Sequence, residues 1–197
     1  MMHREGFTES ILSDTLARGK VKLDALYSEL VGRSYGELQL EYDFLTAGWG
    51  IYLDDIRLTG KIDRIEIIGD GRIRVTDYKT GAGFTALDET WDKNERIKKW
   101  KYRLQLTFYA LLFSLSSRFQ AFPVREYELF FVETDAKTGA FRHVVEYIQE
   151  WEIERMKRLV RAVMGKIRTL DFPAISGYSQ DLTWIRAFEE DLIEGRI

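Results

Sequence analysis

Asp63, Asp77 and Lys79 are the residues whose types and spacing could do chemistry here. They lie in the stretch from Gly60 to Gly81, GKIDRIEIIGDGRIRVTDYKTG. From Arg72 to Lys79 the side chains alternate. Ile73, Val75, Asp77 and Lys79 share one strand face, and Arg74, Thr76 and Tyr78 the other. The first face begins apolar and ends with an acid and an ammonium, and a folded chain rarely buries charge without a reason. On the preceding run Asp63 shares its face with Ile65 and Ile67, against Ile62, Arg64, Glu66 and Ile68. Gly69-Asp70-Gly71 between the runs signals a hairpin. Antiparallel pairing across that turn sets Asp63 opposite the Asp77 end, so two carboxylates and an ammonium converge at one sheet edge. Such hard oxygen ligands suit Mg²⁺ or Mn²⁺. Without a metal, paired carboxylates repel and one pKa rises. A lysine two residues beyond a ligand can hold an attacking water or neutralise charge on a phosphoryl oxygen. The blander alternative is a buried Asp–Lys ion pair, with Asp63 as a turn or edge residue.

Several elements must position these groups. From Thr8 to about Val31, apolar residues at Leu12, Leu16, Leu23, Leu26, Tyr27 and Leu30 predict a helix after a loose leader over 1–7. Arg33 to Gly36 reads as a turn, and Leu38 to Leu45 alternates as a strand. Gly48 and Gly50 precede a run over 51–58, and the hairpin follows. A polar connection from Gly81 to Lys93 leads to a helix over about 94–117. The spans 125–132 and 140–148 read as a second strand pair. A long helix over about 150–170 and a short one near 181–192 complete the chain.

Composition sets outer bounds. The 197 residues contain no cysteine and only two histidines, His3 and His143. Disulfides, thiolate zinc sites and cysteine-held iron–sulfur clusters are therefore excluded. A Ser-His-Asp triad finds little support. The net charge of −3 offers no global attraction for nucleic acid, so DNA binding must use local basic patches. One such run is Lys93, Arg96, Lys98, Lys99, Lys101 and Arg103, interleaved with Trp100 and Tyr102. Cations can bind phosphates there while an aromatic stacks on an unpaired base. The alternative is a solvated helix start balanced by Asp88, Glu89, Asp92 and Glu95. Arg155, Lys157, Arg158 and Arg161 read as a solvated face. No signal peptide or bilayer-length apolar run is visible, which predicts a cytoplasmic chain without a membrane partner. The length fits one domain with a real core.

The order of elements, with the acid–turn–acid-x-lysine hairpin at its centre, resembles the PD-(D/E)XK nuclease superfamily. It looks most like the RecB/AddB-type nuclease domains attached to UvrD-like helicases. The matching pieces are Gly60-Lys61-Ile62-Asp63-Arg64-Ile65, Thr76-Asp77-Tyr78-Lys79-Thr80-Gly81, and Gln105-Leu106-Thr107-Phe108-Tyr109, the family's Q-x-x-x-Y signature. The resemblance implies an α/β, restriction-endonuclease-like core with a central mixed sheet flanked by helices. It implies that Asp63, Asp77 and the Tyr78 backbone carbonyl bind Mg²⁺ or Mn²⁺, and that Lys79 orients or activates the water. Gln105 and Tyr109, four apart on one helix face, stand beside the site and touch DNA. Lys98, Lys99, Lys101 and Arg103 join them as expected DNA contacts, and Glu41 is a candidate additional acid. Glu66 and His143 are expected at the surface.

The resemblance further implies a metal-dependent deoxyribonuclease, acting as an exonuclease in DNA repair and recombination, with DNA and a helicase motor as partners. Residues 1–197 are read as one nuclease domain excised from a larger helicase–nuclease, with 176–197 as a C-terminal helical extension. Many relatives carry a metal-binding histidine on an early helix. His3 lacks that context, which suggests that such a helix lies upstream. Iron–sulfur relatives use four cysteines, and this chain has none. The rival reading is a nuclease-fold module that no longer cuts and serves as a DNA-binding or scaffolding piece.

Overall fold

The computed structural model describes residues 8–31, 36–48, 50–69, 71–81, 83–84, 92–135, 137–179 and 181–197. His3 and the rest of the leader, the turn over 33–35, Asp70 of the hairpin turn, and Asp88 and Glu89 lie outside them.

The elements run α1 (Glu9–Val31), β1 (Leu38–Asp43), β2 (Ile51–Leu53), β3 (Ile56–Leu58), β4 (Lys61–Gly69), β5 (Arg72–Lys79), α2 (Lys93–Leu115), β6 (Val124–Thr134), β7 (Phe141–Glu146), α3 (Glu150–Thr169) and α4 (Leu182–Ile193). Five strands form one sheet in the order β1-β4-β5-β6-β7. All its neighbours are antiparallel except β5 and β6, which run parallel from Arg72↔Val124 to Lys79↔Phe131. That exception follows from α2, because a parallel pair needs a long crossover and the α2 segment supplies it. The mixed sheet flanked by helices is the α/β architecture expected from the motif order. The run over 51–58 is not one strand. It folds back as the β2–β3 hairpin, with Asp54 in the left-handed region at φ 55°, a conformation Asp tolerates better than most residues.

Strand periodicity assigns the two sheet faces different chemistry. Ile65, Ile73, Val75, Leu129 and Phe131 pack against Leu106, Ala110, Leu112 and Phe113 of α2 in the main core. The opposite face carries charge. Arg64 Nη2 lies 3.1 Å from Glu66 Oε2, Arg74 Nη2 lies 2.8 Å from Glu126 Oε2, and Thr76 Oγ1 donates to Glu128 Oε2 at 2.7 Å. Glu66, expected at the surface, is only 2 % exposed. It lies on the face opposite Asp63 as the alternation predicts, but Arg64 beside it and Arg74 across the ladder make its burial tolerable. His143, expected to face solvent, is exposed, and its Nδ1 lies 3.1 Å from Glu128 Oε1.

The helix α3 begins with a capping box between Gln149 and Glu152 and packs on α2 and α4. Its cations are paired rather than simply solvated: Arg155 with Glu189 and Glu190, Arg158 with Glu194, and Arg161 with Asp54 of the hairpin. Among the described residues no helix is long and apolar enough to cross a membrane.

Candidate active site

The β4–β5 ladder is regular at Arg64↔Thr76 and Ile65↔Val75. Just beyond it the Asp63 carboxylate replaces a strand partner, and Oδ2 accepts the Tyr78 backbone N–H at 2.8 Å. Asp77 and Lys79 leave β5 on the core face, where the apolar run stops and α2 arrives. Gln105 and Tyr109, one helical turn apart, meet Asp77 there. Asp77 is 5 % exposed, and its Oδ1 accepts from Gln105 Nε2 at 2.8 Å and from the Tyr109 hydroxyl at 2.8 Å. Gln105 also donates to the Tyr109 oxygen at 2.7 Å, while its own Oε1 accepts from Lys79 Nζ at 2.6 Å. Lys79 Nζ stands 2.6 Å from Asp77 Oδ2 and 4.7 Å from the centroid of the Tyr102 ring. The contact with Oδ2 is an ion pair without hydrogen-bond alignment, so that buried oxygen has no hydrogen-bond donor.

Proton affinities follow this geometry. Burial pushes the Asp63 carboxyl above the ordinary aspartate range, and the charges of Asp77 and Glu41 add to it; the Tyr78 N–H and Lys79 pull back. Burial, then the Asp77 charge, raises the Tyr109 hydroxyl well above an ordinary tyrosine, so it remains a donor at neutral pH. Tyr102 is raised for the same two reasons.

Glu41 has φ 52° and interrupts the β1–β4 pairing between Leu40↔Arg64 and Tyr42↔Ile62. Its exposed carboxylate pairs with Lys61. With Asp63, Arg64 and Tyr78 it lines a cavity of about 460 Å³ beneath Leu26, Tyr27 and Leu30 of α1. It thus stands near Asp63 without joining the Asp77 cluster. Among the described residues, no group of three or more His, Cys, Asp or Glu side chains is arranged to hold a metal ion. The donor set still fits a hard divalent cation. It offers two carboxylates, one with a buried oxygen lacking a hydrogen bond, the other with its pKa raised by burial and the neighbouring Asp77 charge.

The four basic residues expected to bind DNA separate into two kinds. Arg103 is tied into the fold: it donates to Glu152 at 2.9 and 2.7 Å and pairs with Glu146, fastening α2 to β7 and α3. Lys99 is 7 % exposed, pairs with Glu95 at 3.4 Å and lies over the Phe84 ring. Lys98, by contrast, stands over Phe84 and Tyr102, and Lys101 is exposed. Tyr102, read from the sequence as an aromatic that could stack on a base, lies beneath Lys79, a placement the sequence reading did not assign. Its spacing to Gln105 and Tyr109, three and seven residues, places it on the same helix face and was the available signal.

A mixed five-stranded sheet with two aspartates and a lysine where the central strands end defines a nuclease-type α/β domain. Residues 5–179 match the family model described as the PD-(D/E)XK nuclease superfamily, and the chain belongs to that superfamily. A search of curated proteins found no match.

Proposed function

We propose that this chain is a divalent-metal-dependent DNA nuclease, an exonuclease of the RecB/AddB type working beside a helicase motor in repair and recombination. The observation that carries the reading is the Asp77 carboxylate. It is buried, held by Gln105 and Tyr109 on one oxygen, and faces the Lys79 ammonium with the other. Superfamily membership supports nuclease-type chemistry. Asp63 and Asp77, with the Tyr78 carbonyl, would hold Mg²⁺ or Mn²⁺, which when bound acidifies a water and stabilises charge on the phosphate. Lys79 carries a positive charge held by Gln105 and Asp77, suited to orienting a water or offsetting charge on a phosphoryl oxygen. Gln105 holds both Lys79 and Asp77, so it fixes their separation. Tyr109 supplies a proton donor that keeps Asp77 Oδ1 occupied and its other oxygen turned toward Lys79.

The test is cleavage of labelled single- and double-stranded DNA with Mn²⁺, wild type beside Asp77→Ala and Lys79→Ala. Each substitution is expected to lower the rate by at least about a hundredfold. Equal cleavage by all three proteins would defeat the proposal. The rival, a DNA-binding module that does not cut, is favoured by one observation: no third acid or histidine joins the two aspartates among the described residues. It predicts DNA binding without products at any Mn²⁺ concentration.

A further inference from the structure

The described cations near the site are not equivalent. Along α3, the residues Arg155, Lys157, Arg158, Arg161, Lys166 and Arg168 all have carboxylate partners. Arg103 does too. Arg57 on β3 and Lys101 on α2 are exposed and form no ion pair with a described residue. Both border one groove of about 490 Å³, closed by the β2–β3 hairpin, α2 and α3. Its walls are apolar: Leu58 from the hairpin, Phe108 from α2, and Met156 and Val160 from α3. Val163, 38 % exposed, stands at its mouth.

The groove joins the candidate active site through one side chain. Lys101, Leu104, Gln105 and Phe108 form a stripe on α2 at helical spacing that lines the groove. Gln105 is the member that also bonds Asp77 and Lys79. An occupant of the groove therefore lies one side chain away from the carboxylate. Unpaired cations at the rim call for an anionic ligand, and the apolar walls call for a flat or greasy one. An unstacked nucleotide has both parts, a base to bury and phosphates to meet Lys101 and Arg57. A duplex keeps its bases stacked and offers such a groove only its backbone. The volume falls within the range of roughly 300–1,000 Å³ typical of small-ligand sites.

We propose that this groove seats an unpaired nucleobase of the strand whose scissile phosphate would meet the metal that Asp63 and Asp77 would hold. The inference rests on the reading that DNA is the substrate, and adds the subsite that selects single strands. It is tested by fluorescence anisotropy in EDTA, with a short oligothymidylate, the same oligomer made abasic, and a duplex as probes. Wild type is expected to bind the oligothymidylate about tenfold tighter than the abasic oligomer. Val163→Trp fills the mouth without altering charge, and is expected to close that gap while leaving abasic affinity unchanged. Lys101→Gln removes a phosphate contact, so it weakens both oligomers alike and lowers the salt slope by roughly one. Circular dichroism confirms that both variants are folded. Equal wild-type affinity for the two oligomers overturns the proposal, as does an undiminished gap in Val163→Trp, which would assign the groove to another occupant. Cleavage with Mn²⁺ is scored separately. A protein that shows the gap but never cuts refutes the nuclease reading alone, and one that cuts without the gap refutes only the groove.

Discussion

Asp63 illustrates how a site residue works against the fold that carries it. Burial and the fields of Asp77 and Glu41 raise its pKa, so the folded, metal-free protein binds a proton there more tightly than the unfolded chain does. Stability from this group therefore falls as pH rises through the folded pKa, and is recovered as pH falls back toward the ordinary aspartate value. An amide at 63 keeps an oxygen for the Tyr78 N–H and carries no charge. Asp63→Asn is accordingly expected to melt above wild type at neutral pH in EDTA while cleaving nothing. The difference in Tm should shrink on acidification through the raised pKa; a variant that melts lower at neutral pH would contradict this account. Tyr109 tests positioning rather than ligation. Tyr109→Phe removes one of two donors on Asp77 Oδ1 and leaves Gln105, a loss of about 1 kcal/mol. Expected kinetics are a kcat about fivefold lower with KM for the oligonucleotide little changed. A rise in KM alone would make Tyr109 a DNA contact instead.

At the scale of elements, α2 does two jobs with its middle turns. Gln105 and Tyr109 reach the strand ends, and Arg103, two residues before Gln105, fastens the helix to Glu146 of β7 and Glu152 of α3. The Glu152 side chain is only 11 % exposed, so removing the guanidinium leaves a largely buried carboxylate with the Gln149 backbone N–H but without its counter-charge. Arg103→Ala should therefore lower stability by about 2–3 kcal/mol in urea unfolding. It should leave the salt slope of DNA binding unchanged, since a cation already paired twice has little charge to offer a phosphate. A drop in that slope of about one, with full stability, would instead make Arg103 a phosphate contact.

For the whole molecule, the candidate site links metal to folding. If the native state binds Mn²⁺ and the unfolded chain does not, a concentration ten times Kd adds about 1.4 kcal/mol. For a domain of this size that raises Tm by roughly 3–6 °C. Asp77→Asn should abolish the rise. An equal rise in both proteins would place the metal elsewhere. The same scale shows how much was legible beforehand. The strand alternation around Ile73, Val75, Asp77 and Lys79 and the helical stripes of α1 to α4 emerge from local periodicity. The mixed sheet that joins them was what the resemblance to the nuclease superfamily implied. Glu66 was misread as exposed because its burial depends on Arg64 and Arg74, one beside it and one across the ladder. Arg103 was read as a free cation because its partners lie 43 and 49 positions away in the chain.

By itself the sequence determined which residues can ionise, which face of each strand they occupy, and that Asp63, Asp77 and Lys79 fall on core-side faces of neighbouring strands. Only the tertiary structure decided which of these charges are already satisfied. Whether a lysine or arginine is available to a ligand depends on the nearest carboxylate in space, and chain spacing carries that information only within a turn or a hairpin. The groove beside Gln105 has the same origin: it is made by three elements whose meeting no local pattern encodes.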